Sequence, residues 1–275
     1  MLLSWASLAC GPESPDAPAN RSRPVAYATP SPTPTLDPAR PFGVDDPTVP
    51  LLAQKLSDPD RRVRWYAAGY LASRSAEAQP VVPALIAALG DEDEEVAATA
   101  AFALGRIGPP ASPAGPALVT MLASARPGRR HAAAVALARI GTTPDAVPAL
   151  IACSRAEDER TGARLAAFEA LATLRPPSGE ALQRLAEGMA DDPKIRAVAA
   201  AALSGLGPEL ARVLDSLVLA LEHPAPAARR SAVSLIARAG PAAAAAVPAL
   251  YGALRDEDER VREEARRAIR AVRGQ

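Results

Sequence analysis

Residues 50 to 273 repeat with a period near thirty-three, and that period constrains the fold more than any single residue does. Seven segments align on Val63, Val96, Arg129, Ala163, Ile195, Ala228 and Val261, at intervals of 33, 33, 34, 32, 33 and 33. Four places after each anchor stands alanine: Ala67, Ala100, Ala133, Ala167, Ala199, Ala232 and Ala265. Eight places after it stands a large aliphatic: Leu71, Leu104, Leu137, Leu171, Leu203, Ile236 and Ile269. Positions i, i+4 and i+8 share one face of an α-helix. The alanine lets a neighbouring helix come close and the leucine or isoleucine fills the space beside it, so this face is a packing stripe.

A break follows each stripe, often with glycine or proline (Gly108-Pro109-Pro110, Gly141, Gly207-Pro208, Gly240-Pro241), which ends the first helix. A second, shorter apolar segment then begins, frequently at proline: Pro83, Pro116, Pro148 and Pro248. Proline fits there because the first helical N–H groups have no intrahelical acceptor. Each unit is thus helix, turn, helix, with an unpaired second helix at residues 50–56 and an unpaired first helix at 257–273. Aromatic residues are only 3% of the chain, which suits small helices packed closely better than strands. The expectation is an all-α chain.

The first 47 residues have another character. Residues 1–10 are apolar and end at Cys10, the pattern of a bacterial lipoprotein leader in which the cysteine is lipidated, although Ser7 stands where leucine is usual. From Gly11 to Pro50 the chain carries eleven prolines among small and polar residues, a composition that cannot bury a core. The expected organisation is a leader at 1–10, a Pro-rich disordered tether at 11–47 and a repeat domain at 48–275. Attachment through Cys10 would place the domain at the bacterial envelope; a frayed end on a cytoplasmic protein is the alternative.

Three phrases recur: Asp58 to Arg64, Ala100 to Pro109 and Val147 to Leu150. Together they resemble HEAT repeats, particularly the short variety also called PBS-lyase HEAT-like. The resemblance covers residues 50–273 and is weakest in the third and fourth units, where Arg129 and Ala163 replace valine. It implies a right-handed α-solenoid of about six to seven repeats, first helices outside and second helices lining the concave side.

One place after the anchor stands arginine in six of seven units: Arg64, Arg130, Arg164, Arg196, Arg229 and Arg262, with Ala97 the exception. Five places before it stands aspartate in four: Asp58, Asp91, Asp158 and Asp256. Arginines in register admit two readings, a ligand-binding stripe or a ladder joining adjacent repeats. The resemblance implies the ladder, and a planar guanidinium can bridge a carboxylate and a carbonyl together. The pairs Arg61-Arg62, Arg129-Arg130 and Arg229-Arg230 and the run Asp91–Glu95 offer local charge for a partner, or are solvated helix starts. Trp65, near Arg62, Tyr66 and Tyr70, has the make-up of an interface anchor, or else covers the end of the stack. The expected partner contacts are Arg61, Arg62, Trp65, Arg129 and Arg230.

Formal net charge is zero, and the second helices hold almost no lysine or arginine, so nucleic acid is not an expected partner. Cys10 and Cys153 lie in unlike settings, and His131 and His223 stand alone, so neither a disulfide nor a zinc site is expected. Enzymes of similar repeats that hold iron through His-Glu pairs are set aside, since Ala132 follows His131 and Pro224 follows His223. No phosphate loop or Ser/His/Asp set is present. The expectation is a monomeric, non-catalytic scaffold without cofactor that binds a protein or peptide; the alternative is an accessory related to phycobilin lyases or another HEAT-like enzyme. Membrane contact is expected only through the lipid anchor.

Overall fold

The computed structural model describes Phe42 and residues 47–156 and 162–275. Among these every regular element is helical. The first helices of the units are α2 (Arg61–Ser73), α4 (Glu94–Ile107), α6 (Pro127–Ile140), α8 (Ala163–Thr173), α10 (Pro193–Ser204), α12 (Pro226–Ala239) and α14 (Glu259–Val272). The second helices are α1 (Val49–Lys55), α3 (Val82–Ala88), α5 (Gly115–Leu122), α7 (Val147–Ser154), α9 (Gly179–Glu187), α11 (Leu214–Leu219) and α13 (Val247–Ala253).

Each first helix packs on the next first helix, and second helices α5, α7, α9 and α11 pack in sequence beside them. The result is a two-layer α-solenoid in which a unit touches its neighbours along the chain. The stripe positions form the seam between layers. All seven stripe alanines lack solvent exposure, and six of the seven large aliphatics do too, Ile269 in the last helix being the exception. Residues 4 and 8 after the anchor therefore bury together as the helical period requires.

Helix starts are set by short polar side chains. The carboxylate of Asp93 accepts from the N–H groups of Glu95 and Val96, that of Asp192 from Lys194 and Ile195, and that of Asp258 from Val261. These satisfy donors that the first turn leaves without partners. Helix ends rely on glycine: α4, α6 and α12 stop at Gly108, Gly141 and Gly240, with φ of 76°, 106° and 60°. A residue with Cβ meets a steric penalty at such angles.

The stack is least regular after α8. The second helix α9 starts at Ser178, whose hydroxyl accepts from Ala181, and α11 is only six residues long, preceded by a 3-10 stretch at Gly207–Val213. The seam between α10 and α12 is the thinnest between consecutive first helices.

Candidate functional site

The arginine one place after the anchor reaches into the following unit. Arg64 donates from Nε to Asp91 Oδ2 at 2.6 Å and from Nη2 to Asp91 Oδ1 at 3.0 Å. Its Nη1 donates to the carbonyls of Asp58 and Pro59, in the turn that leads into its own helix. Arg229 repeats the arrangement on Asp256, at 2.7 and 2.8 Å, with His223 and Pro224 supplying the carbonyls. Arg164 Nη2 donates to both oxygens of Asp191 at 2.6 Å. Each rung joins residues 27 apart, so one guanidinium ties two turns and two helices.

The rungs shift the ionisation of their members. The Arg229 guanidinium, hydrogen-bonded to Asp256, holds that carboxyl below the usual carboxylate range, and Asp256 in turn raises Arg229. Asp91 raises Arg64 in the same way.

Asp191 was not among the residues singled out from the sequence. It stands four places before its anchor rather than five, because the interval from Ala163 to Ile195 is 32. The constant spacing of 27 from arginine to acid is the signal that finds it. Asp58, at the first turn, pairs with Lys55 at 2.8 Å and accepts from the Asp60 N–H. Arg262, in α14, donates to the carbonyls of Asp256 and Glu257. Arg130 donates to the Ser124 carbonyl at 2.8 Å. Asp158 and Cys10 lie outside the described residues.

Arg196 departs from the ladder. It is only 8% exposed, its Nη1 has no hydrogen-bond partner among the described residues, and 27 places on stands His223 instead of an acid.

Most of the arginines expected to meet a partner are engaged within the solenoid. Arg61 reaches Asp93 of the next unit at 2.9 Å, and Arg62 folds back on the helix-capping Asp60 at 2.9 Å. Arg129 donates to the carbonyl of Asp91 across the junction. Arg61 and Arg62 are held by the helix-capping acids Asp93 and Asp60, and Arg129 by a backbone carbonyl. Arg230 and Trp65 face solvent, Trp65 with 42% of its surface exposed.

Trp65 lies edge-on to Tyr66 at 5.0 Å, and these two with Gly69, Tyr70 and Ser73 line a cavity of about 270 Å³. A second groove, about 570 Å³, runs between α4 and α6 beside Phe102, which is 43% exposed and has the Arg139 guanidinium 5.4 Å above its ring. Phe102 was not anticipated: it falls six places after its anchor, where other units carry unlike side chains. A buried arginine of another kind was also not anticipated. Arg184 of α9 donates to the hydroxyl and carbonyl of Ser154 and lies 4.6 Å over Phe168, and burial lowers its basicity. Among the described residues no three His, Cys, Asp or Glu side chains gather as a metal site would need.

These paired helices, their repeat and their register correspond to a known family model, HEAT repeats, which matches residues 48–138 and 115–207. The chain belongs to the HEAT repeat family. No curated protein matches it. Among solved structures, an engineered protein from a structural genomics programme is similar over 82% of this chain and 68% of its own, at 24% identity and TM-score 0.56. The complex of CpcE and CpcF of phycocyanin lyase from Nostoc sp. PCC7120 is similar over 82% of this chain and 95% of that chain, at 25% identity and TM-score 0.50. The HEAT units of the present chain continue past the matched span, since the Arg229–Asp256 rung and helix α14 repeat the geometry of α2 and α4.

Proposed function

We propose that the protein is a non-catalytic scaffold that binds a protein or peptide partner along the outer surface of its first helices. The observation that carries this reading is the exposed aromatic surface on α2 and α4. Trp65 and Phe102 each keep more than two fifths of their surface in solvent, next to grooves of about 270 and 570 Å³. Large aromatics left exposed beside a concavity are the usual anchors of an interface. The ladder arginines support the same reading indirectly, because they are committed to holding units together and leave recognition to the faces between them.

The test is capture of partners from native extract by the wild type and by Trp65→Ala and Phe102→Ala. Loss of about 1–2 kcal/mol of affinity for each, with an unchanged unfolding midpoint, is expected for an interface anchor. Equal capture by all three proteins removes the reading.

A second reading is favoured by the likeness to the phycocyanin lyase complex: an accessory that works with a chromophore-handling enzyme. It requires a tetrapyrrole to copurify, which absorbance of the purified complex detects. We further propose that Cys10 is lipidated and that residues 11–47 tether the solenoid to the bacterial envelope. The pattern of residues 1–10 supports this. Mass spectrometry of the native N-terminus decides it: diacylated Cys10 is expected, and an intact Met1 overturns it.

A further inference from the structure

Among the described residues three rungs of the ladder have both members: Arg64 with Asp91, Arg164 with Asp191, Arg229 with Asp256. At one junction both members are missing. Ala97 stands where the arginine would be, and 27 places on Ser124 stands where the acid would be. The pair is absent as a pair, and Ala97 is fully buried without cost to any charge. The junction between α10 and α12 is different, because Arg196 is retained and its acid is replaced by His223.

His223 occupies the acid's place in its turn. Its carbonyl accepts from Arg229 Nη1 at 2.9 Å, as the carbonyl of Asp58 accepts from Arg64. Its Nδ1 accepts from the Ala225 N–H at 3.0 Å, as Asp91 Oδ1 accepts from Asp93 and Asp256 Oδ1 from Asp258. With Nδ1 serving as acceptor, the ring's proton is on Nε2, so the ring offers a donor on its other side. By register the rung thus sets a guanidinium against a ring donor, and the Arg196 Nη1 is buried without a hydrogen-bond partner among the described residues. A guanidinium withdrawn from water and left without a counter-charge is costly, several-fold more so than a neutral group.

We propose that the Arg196–His223 junction is a binding site for a carboxylate ligand, which takes the place that Asp91 takes beside Arg64. The two oxygens accept from the Arg196 guanidinium, and the His223 Nε2–H completes their coordination. Bound there, the ligand closes the thinnest seam between consecutive first helices, so occupancy stiffens the solenoid between α10 and α12. The carboxylate can belong to a free small acid or to an acidic side chain of a bound peptide. The site rests on the rung geometry alone and stands apart from the aromatic surface of α2 and α4, so its failure leaves the Trp65 test untouched.

The experiment follows the thermal unfolding midpoint of the full chain. One arm titrates sodium acetate against sodium chloride at matched ionic strength. The other titrates acetyl-Gly-Asp-Gly-amide against its Asn counterpart. The wild type is expected to show a saturable rise of about 2–4 °C with one of these carboxylates over its control. Response to acetate assigns a free acid; response to the Asp peptide alone assigns a peptide-borne one. The variant His223→Asp supplies the acid from within, so it is expected to melt higher without ligand and to show no saturable rise. Absence of a saturable rise in the wild type with either carboxylate overturns the proposal, and so does an equal rise in His223→Asp.

Discussion

Arg229 donates five hydrogen bonds, two to Asp256, two to backbone carbonyls and one to Glu257, with its side chain and that of Asp256 each only 9% exposed. A guanidinium so placed is stable only while its counter-charge is present. Asp256→Asn removes the charge and keeps the shape; it is expected to cost about 3 kcal/mol of unfolding free energy, read from urea denaturation. The penalty depends on pH. Arg229 depresses the Asp256 carboxyl, so the folded chain binds this proton less readily than the unfolded chain. The stabilisation is complete above the ordinary carboxylate value of about 4 and fades as pH falls through the depressed folded value. The gap in unfolding midpoint between wild type and Asp256→Asn is thus expected to be constant from pH 7 to pH 5 and to close as the solution is acidified below pH 4. A gap that widens on acidification contradicts this account of the rung.

The helices act as units through their smallest residues. Gly105 of α4 faces α6 so closely that a Cβ there would lie 3.1 Å from the Ala136 Cα. Backbone cannot yield as a flexible side-chain end can, so Gly105→Val must push the two helices apart. The expected cost is about 1–3 kcal/mol by chemical denaturation, in spite of the better helix propensity of any residue over glycine. Gly69 in α2 has open space around it, and Gly69→Ala serves as the control, with no loss expected. Element by element, legibility followed the period. Helices α2, α4, α6, α12 and α14 could be read directly, since stripe, break and anchor coincide. The 3-10 turns and the short α11 could not be read, because they are set by how the chain closes onto an already stacked neighbour and leave no periodic mark in residues 207–219. The surface aromatic Phe102 was equally silent, for its exposure depends on the distance between α4 and α6.

Across the molecule, stability is distributed along a line. Each unit contacts its neighbours, so damage at one end spreads a short way. Helix α14 buries Val261, Ala265 and Ile269 and turns Glu263, Arg266, Arg267 and Arg270 to solvent. Removal of residues 255–275 takes away the helix that packs on α12 and α13 and takes Asp256 from Arg229. Amide hydrogen exchange is expected to accelerate in α12 and α13 while α4 and α6 keep their protection. Uniform acceleration across the chain would show that the units fold as one block instead.

The amino-acid sequence alone determined the helical class, the period, the buried stripe and the arginine that follows six of the seven anchors. All of these are local, because which residues share a helix face depends only on 3.6 residues per turn. Tertiary structure decided which acid each arginine meets. It placed Asp191 on Arg164 after a one-residue deletion, tied Arg61 and Arg129 across junctions, and left the buried Arg196 Nη1 without a partner among the described residues. Those pairings join positions about thirty residues apart, and their geometry exists only once two turns have been brought side by side by the stacking of whole units.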